Sequence, residues 1–236
     1  MNYVARPLPR GWAFDTSWAF NARTAAALLA APWPGDKVGL IRYVSLGKPS
    51  PSDISIQERD SIFIGGWRAL GLVQHVEMPH WIATPQSGSD HGKAAVEHAQ
   101  LVGYPAGCHL TPDIEGLGNA GAPVQQYLEG WCTAAIDAGY LVAPYDGYDD
   151  GLPAAVKLSL VQNGYVSSDA WWSDFGPRTL PDGLSWAAKQ STQRTVGGVL
   201  VDPDQILLES VLKFMALEDD ENVPDTDPHP VVVGSA

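Results

Sequence analysis

The sequence predicts an α/β fold, and within that class an irregular TIM-type barrel of five βα units followed by three closing strands. Short apolar runs alternate along the chain with longer helical patterns, and the connections between them are short. Such alternation indicates a parallel sheet with helices on its outside. The pattern contains eight candidate strands, enough to close a barrel, and 236 residues suit a single barrel.

The first half of the chain is predicted to form four strands, each followed by a helix. Asp53 or Ser55 is expected to cap the second helix, and Gly139 to end the fourth. The predicted strands are 12–15, 38–44, 72–77 and 106–115, and the predicted helices are 21–31, about 55–69, 90–102 and 123–138.

The second half of the chain is predicted to have shorter elements. A fifth strand over 140–145 and a short helix over 153–161 complete the fifth βα unit. The three closing strands are expected over 170–172, 184–190 and 199–202, and a final helix from about Pro203 to Leu217.

The domain boundary is expected after Leu217, so that residues 1–217 form the barrel and residues 218–236 form a C-terminal tail. The tail is acidic and Pro-rich, a composition that buries little apolar area. Its apolar stretch, 231–233, is expected to be the anchored part, with 218–227 exposed to solvent. The tail could therefore contact a protein partner or a second copy of the chain.

The charge balance excludes several partners. With 14 Lys and Arg against 27 Asp and Glu, the net charge is −13. Binding to nucleic acid needs clustered Lys and Arg, and so does an electrostatic hold on an anionic membrane, so neither partner is expected. The chain also has no apolar stretch of about 18 residues, so no transmembrane helix is predicted.

The N-terminus and the cysteines indicate the cellular compartment in which the protein is expected. The first ten residues lack a basic segment followed by an apolar run, so no secretory signal peptide is expected. The protein is therefore expected to be cytoplasmic when made, and it could later be released or assembled into a particle. Cys108 and Cys132 are expected to be buried thiols that do not form a disulfide.

The most informative segment is the end of the fourth predicted strand. Asp113 and Glu115 are two residues apart, so both side chains point to the same face, with Cβ atoms roughly 6–7 Å apart. Two close carboxyl groups ionise at different pH values, which gives one proton donor and one charged stabiliser, as glycoside cleavage requires. A pair of exposed carboxylates with no catalytic role is the competing interpretation.

Two further acids occupy comparable positions in the predicted barrel. Asp15 ends the first strand and Asp202 ends the last, and these two strands are neighbours in a closed barrel. All four carboxylates could therefore surround one pocket. The alternative is that Asp15 and Asp202 only cap the helices predicted to follow them.

Other candidate contacts with a ligand lie at the ends of neighbouring strands. His75 and Glu77 share a face of the third strand and are expected to line the pocket. Their spacing matches no zinc pattern, so no metal is expected. Sugar rings stack on aromatic side chains, and Tyr145 and Trp171 are expected to provide such surfaces. Of Trp171 and its neighbour Trp172, one should face the barrel and the other should pack outward.

Residues 116–121 match the G-x-G-x-x-G pattern of dinucleotide-binding proteins. Asp113 and Glu115 precede this loop directly and would place two negative charges beside a pyrophosphate. The loop is therefore expected to be an ordinary βα connection, and no cofactor is predicted.

Several short motifs together resemble a known group of enzymes. The segment Gly11–Ser17 resembles the opening of the family 25 glycoside hydrolases, the lysozyme-type muramidases, and resembles still more closely a related glycoside-hydrolase-like family of unknown function. The other matching motifs are Leu40–Tyr43, Asp113–Glu115, Lys189–Ser191 and Gly198–Asp202. Their order and their positions at strand ends make the resemblance fairly specific, and it extends from about Gly11 to Glu209.

The resemblance implies a role for each matching residue. Glu115 matches the general acid of the muramidases, and Asp113 matches the carboxylate that supports the N-acetyl group of the substrate. Asp15 and Asp202 match acids of the pocket floor. The residues of the matching motifs that are expected to contact substrate are Arg42, Tyr43 and Gln190.

The resulting hypothesis is a glycoside-hydrolase-like protein that acts on an N-acetylated, peptidoglycan-type glycan by carboxylate acid/base chemistry. The alternative is a non-catalytic glycan-binding module, or a structural component of a larger particle such as a phage tail or secretion apparatus. An open cleft surrounded by the four carboxylates would favour the enzyme, and a plugged cleft would favour the alternative.

Overall fold

A computed structural model describes residues 1–77, 82–115, 121–147, 152–174 and 179–218 of the chain. The predicted tail from residue 219 onward, with the apolar stretch 231–233, and most of the glycine-rich loop 116–121 lie outside these residues. The helices are α1 (Ala22–Ala30), α2 (Ile56–Ile64), α3 (Pro85–Leu101), α4 (Gly121–Asp137) and α5 (Ala154–Gln162). The strands are β1 (Tyr3–Pro7), β2 (Gly11–Asp15), β3 (Lys37–Tyr43), β4 (Leu70–Glu77), β5 (His109–Glu115), β6 (Leu141–Val142), β7 (Tyr145–Asp146), β8 (Trp171–Ser173), β9 (Trp186–Gln190), β10 (Arg194–Val196), β11 (Val199–Ile206) and β12 (Lys213–Leu217).

Eight strands close a barrel in the order β2-β3-β4-β5-β7-β8-β9-β11, and β11 returns to β2. The helices α1 to α5 follow β2, β3, β4, β5 and β7, whereas the described residues between β8, β9 and β11 contain no full helix. This arrangement confirms the predicted fold of five βα units and three closing strands. The helices cover the outside, and apolar side chains from both layers form one core.

The last barrel strand runs antiparallel to both of its neighbours. It pairs with β9 on one side and with β2 on the other, with Asp202 opposite Asp15. Asp202 therefore reaches the same end of the barrel as Asp15 because it lies in the first half of a reversed strand, and not because it ends a parallel one.

The predicted final helix is wrong. The chain continues along β11 to Ile206 and then forms β12, which pairs with β1 and with the start of β4. Buried Val199, Val201 and Ile206 are separated by exposed Leu200 and Gln205, a largely alternating pattern that suits a strand better than a helix. Pairing partners distant in sequence, which no local pattern reveals, decide the structure of this segment.

Side-chain caps fix the starts of three helices. Asn21 and Ser55 accept hydrogen bonds from the backbone N–H groups of Thr24 and Glu58, and Ser55 was one of the two caps expected for the second helix. The third helix begins at Pro85 and is capped by Thr84, five residues before the predicted start. A capping residue followed by Pro at the first helical position is the signal that marks this start.

Cys108 and Cys132 are buried free thiols, which confirms that they are not bonded to each other. Among the described residues, no helix combines the length and apolar character needed to cross a membrane.

Close packing of α3 on α4 depends on glycine. A Cβ atom at Gly88 would overlap the backbone carbonyl of Tyr127, and one at Gly92 would lie 2.7 Å from the carbonyl oxygen of Trp131. Both contacts are with backbone atoms, which cannot turn aside as a flexible side chain can. These glycines therefore set the distance between the helices that carry the loops beyond β4 and β5.

We expect Gly88→Ala to lower the free energy of unfolding by about 1–3 kcal/mol, since overpacking forces the two helices apart. Urea unfolding measures the effect, with Lys93→Ala, an exposed change on the same helix, as the control. The control should remain within about 0.5 kcal/mol of wild type. Equal stability of Gly88→Ala and wild type would show that the helices can separate without cost.

Candidate active site

A cavity of about 220 Å³ opens at the carboxyl ends of the parallel barrel strands. Eight residues that the sequence predicted for a site line it together. These residues are Asp15, Tyr43, His75, Asp113, Glu115, Tyr145, Gln190 and Asp202. Four further residues complete the lining, namely Ile41, Val73, Thr111 and Trp172.

Strand alternation explains why these side chains converge. On β5, Thr111, Asp113 and Glu115 face the cavity, and on β3 Ile41 and Tyr43 do so. The parallel register aligns β4 with β5, so that His75 lies opposite Asp113. Side chains at every second position of neighbouring strands thus point into one space.

His75 and Asp113 form the central ion pair of the cavity. The His75 Nδ1 and the Asp113 Oδ2 are 2.6 Å apart, and the imidazole stacks on the ring of Tyr43 with centroids 5.7 Å apart. Burial disfavours the charged imidazole, but the hydrogen bond and charge of Asp113, with the charges of Glu115 and Asp15, outweigh it. The pKa of His75 is therefore raised to about 9, so the ring is protonated at neutral pH.

Asp15 forms the floor of the cavity. It is almost completely buried, and this burial, together with the negative charges of Asp113 and Asp202, raises its pKa well above the usual range. Burial and the charge of Asp113 also raise the pKa of Asp202, whose Oδ2 accepts a hydrogen bond from Gln193. Burial and the neighbouring negative charges thus disfavour ionisation of both carboxyl groups.

Asp204 is an acid that sequence reasoning missed. It is fully buried on β11, and its Oδ1 accepts a hydrogen bond of 3.1 Å from the indole Nε1 of Trp172. Burial and the neighbouring Asp15 raise its pKa strongly. Its position two residues after Asp202 on the same strand was the available signal, but the predicted helix from Pro203 concealed it.

Several carboxylate oxygens in this region have no hydrogen-bond partner among the described residues. They are Oδ1 of Asp15, Oδ1 of Asp113 and Oδ2 of Asp204, and all three atoms are buried. Unpartnered buried oxygens are costly, which favours a bound molecule that donates hydrogen bonds to them. Asp15 and Asp113 both line the cavity, so a ligand there could supply these donors.

His75, Asp113 and Glu115 form a cluster of groups that can act as metal ligands. One ligand atom from each lies within 4.8 Å of the others. The Nδ1 of His75 lies 2.6 Å from Oδ2 of Asp113, however, so these two atoms already contact each other directly. The arrangement therefore favours an ion pair over a metal centre.

Aromatic side chains form part of the cavity wall. The hydroxyl of Tyr145 donates a 2.7 Å hydrogen bond to Oε1 of Gln190, and the ring of Tyr145 meets that of Trp172 edge to face at 6.4 Å. Trp172 lines the cavity, whereas Trp171 is completely buried and does not. The predicted contact at Trp171 is thus corrected to Trp172, because alternation turns the two indoles to opposite faces.

Arg42 does not line the cavity either. It lies between Ile41 and Tyr43 on β3 and so points to the opposite face, where it forms a buried ion pair with Glu58. The predicted substrate contact is therefore corrected to a structural role. The backbone of Glu77 lies opposite Glu115 at the end of β4, but its side chain lies outside the described part of the structure.

The His75–Asp113 pair predicts a pH dependence of stability. The pKa of His75 is about 9 in the folded protein and about 6.5 in an unfolded chain, so the pair stabilises fully below pH 6.5. This contribution is lost as the pH rises through 9. We expect the free energy of unfolding to fall between pH 6.5 and 9 in wild type, and to fall less in His75→Gln.

Urea unfolding at several pH values measures the free energy of unfolding, and NMR titration of the imidazole protons measures the pKa of His75. The His75→Gln variant is the matched control, since it retains a hydrogen-bonding side chain but cannot ionise. An imidazole that titrates near 6.5 would contradict the ion pair.

The closed barrel and the acidic cavity at the carboxyl ends of its parallel strands agree with a glycoside-hydrolase-like protein. The match of a family model over residues 35–205 makes the membership specific. The chain belongs to the Rv2525c-like, glycoside hydrolase-like domain family. A search of curated proteins gave no match.

Solved structures show the same fold at low sequence identity. The Tat-secreted protein Rv2525c of Mycobacterium tuberculosis, in complex with HEPES, is 21% identical, with a TM-score of 0.60 over 84% of this chain and 95% of that chain. The same protein in complex with L-tartrate is 22% identical, with a TM-score of 0.59 over 84% of this chain and 96% of that chain. An uncharacterized B. stearothermophilus protein is 16% identical, with a TM-score of 0.61 over 83% of this chain and 95% of that chain.

The comparison with Rv2525c corrects the expected location. Rv2525c is a Tat-secreted protein, which points to export rather than to the cytoplasm. The expectation of a protein that is cytoplasmic when made is therefore wrong. It depended on a local leader pattern and on two cysteines, and the barrel itself says nothing about the compartment in which it works.

Proposed function

We propose that the protein is an exported glycoside hydrolase that acts on an N-acetylated, peptidoglycan-type glycan. The observation that carries this proposal is the convergence of Asp15, Asp113, Glu115 and Asp202 on one open cavity at the mouth of the barrel. Paired carboxylates with different environments are what glycoside cleavage requires. Export, as in the secreted relative, would bring the protein to a wall polymer outside the cytoplasm.

The roles of the two acids on β5 follow from their positions. Glu115 is the less buried of the pair and lies toward the rim, so it is assigned as the acid that protonates the glycosidic oxygen. The bond between C1 and that oxygen then breaks, and the bonding electrons leave with the oxygen. Asp113, held by His75, stabilises the positive charge that develops at C1.

A water molecule completes the reaction in this assignment. Its oxygen bonds to C1 while one of its protons passes to the carboxylate of Glu115, which restores the acid. An oxygen of Asp113 and one of Glu115 lie within 4.8 Å of each other. This is shorter than the roughly 6.5–9.5 Å between carboxyl groups that an inverting enzyme leaves for a water, so we expect retention of configuration at C1.

The aromatic wall supports binding of a sugar ring. Trp172, Tyr43 and Tyr145 offer ring faces and edges to the apolar C–H side of a sugar, and carboxylates accept from its hydroxyl groups. A cavity of about 220 Å³ has room for about one sugar residue.

The test is incubation of the purified protein with purified cell wall and with soluble N-acetylated oligosaccharides. Loss of turbidity and new reducing ends are expected, and NMR of the fresh product should show the retained anomer. Binding without any new reducing end would instead support the alternative of a non-catalytic glycan-binding module.

A further inference from the structure

We infer that the sugar bound in the acidic cavity carries a free ammonium group, as a glucosamine-type sugar does, in place of the N-acetyl group. This inference rests on the proposed function and narrows its substrate to a partly de-N-acetylated glycan. A reaction that hydrolyses the acetamido group to an ammonium and acetate must then act on the glycan beforehand.

The charge of the cavity is the first argument. Asp15, Asp113, Glu115 and Asp202 line it, and His75 is the only described cationic side chain that does so. His75 is already paired with Asp113, and carboxyl groups outnumber cationic side chains four to one among the residues that line the cavity. An ammonium group would be attracted to this space, whereas a neutral acetamido group would gain nothing from the charge.

The unpartnered oxygens are the second and independent argument. Oδ1 of Asp113 and Oδ1 of Asp15 are buried and accept no hydrogen bond from any described residue. An ammonium group donates three hydrogen bonds and brings a compensating charge, whereas an acetamido group donates one. The donor count of the ammonium therefore fits the acceptors that the fold leaves open.

The wall of the cavity is the third argument. Tyr43, Tyr145 and Trp172 line the same cavity as the carboxylates, and aromatic rings attract cations through their negative faces. Acidic groups combined with aromatic walls form a common recognition site for ammonium ligands. The lactyl carboxylate of a muramic acid residue would instead be repelled by the same carboxylates.

The experiment compares glucosamine with N-acetylglucosamine. As monosaccharides they contain no glycosidic bond to cleave, and NMR titration of the protein measures their affinities in the presence of EDTA. We expect glucosamine to bind at least tenfold more tightly at pH 7 and low salt. A parallel assay measures cleavage of native and chemically de-N-acetylated cell wall, and the de-N-acetylated wall should be cleaved faster.

Two variants distinguish the effect of the cavity acids on binding from the effect of the net negative charge of the chain. Asp202→Asn changes a partly buried acid of the cavity, and we expect it to reduce the preference for glucosamine at least threefold. Asp182→Asn removes an exposed charge that does not line the cavity, and it should leave the preference unchanged. The melting temperature of both variants is measured to verify that they fold.

Each possible result decides the question. Equal or tighter binding of N-acetylglucosamine, with cleavage of native wall, would overturn the inference and leave the proposed function intact. A preference for glucosamine that Asp202→Asn does not reduce would assign the effect to the surface charge and would also overturn it. No binding of either sugar and no cleavage of either wall would overturn the proposed function as well.

Discussion

Replacing Glu115 by Gln is expected to lower the rate of glycan cleavage by about 10²–10⁴-fold, the range that a positioned general acid contributes. The amide of Gln has nearly the same shape as the carboxyl group but cannot transfer a proton to the leaving oxygen. Because Glu115 is only partly buried at the mouth of the barrel, its loss should hardly change the melting temperature. Reducing ends released from purified cell wall give the rate.

The control for this prediction is Glu97→Gln, which makes the same chemical change at an exposed position of α3. It should cleave at the wild-type rate. Asp15→Asn is an informative comparison, since Asp15 is the cavity acid whose pKa is most clearly raised. Full activity of Glu115→Gln together with an inactive, folded Asp15→Asn would transfer the role of proton donor from the rim to the floor of the cavity.

The order of the barrel elements was accessible from the sequence because it depends on local patterns. Alternating apolar runs, helix caps and glycine at helix ends recur along the chain, and they place the five βα units with the correct order. The i, i+2 spacing of Asp113 and Glu115 likewise determined that both would face one side of β5, where both line the cavity. Such features need no knowledge of distant residues.

The segment after Asp202 shows where local patterns are not sufficient. Asp204 is part of the acidic cluster only because β11 runs antiparallel beside β2, a pairing that places Asp204 opposite Ala13 near the other end of the chain. Trp172 enters the cavity wall and Trp171 does not, a choice that depends on strand register rather than residue type. Both features arise from tertiary pairing, which a single sequence does not encode locally.

Arg42 is a further residue whose role local sequence patterns do not reveal, and its role affects the stability of the fold. Its motif suggested a substrate contact, yet its side chain is completely buried outside the barrel and its Nε lies 2.6 Å from Oε1 of Glu58. The guanidinium also donates to the carbonyl groups of Thr16 and Ser52, and Glu58 accepts from the backbone N–H of Phe20. The pair therefore ties the loops after β2 and β3 to α2.

Arg42→Ala is expected to lower the free energy of unfolding by about 3–5 kcal/mol, because it leaves the charge of Glu58 buried without a partner. For a domain of this size the melting temperature should fall by roughly 6–20 °C. Thermal and urea unfolding measure both quantities, with Arg68→Ala, an exposed arginine without an ion pair among the described residues, as the control.

The double variant Arg42→Met/Glu58→Leu should recover part of the loss, since it removes both buried charges. Two results would show that the buried pair does not hold these loops. One is an Arg42→Ala variant that is as stable as Arg68→Ala. The other is a double variant whose loss of stability equals the full sum of the losses caused by its two single changes.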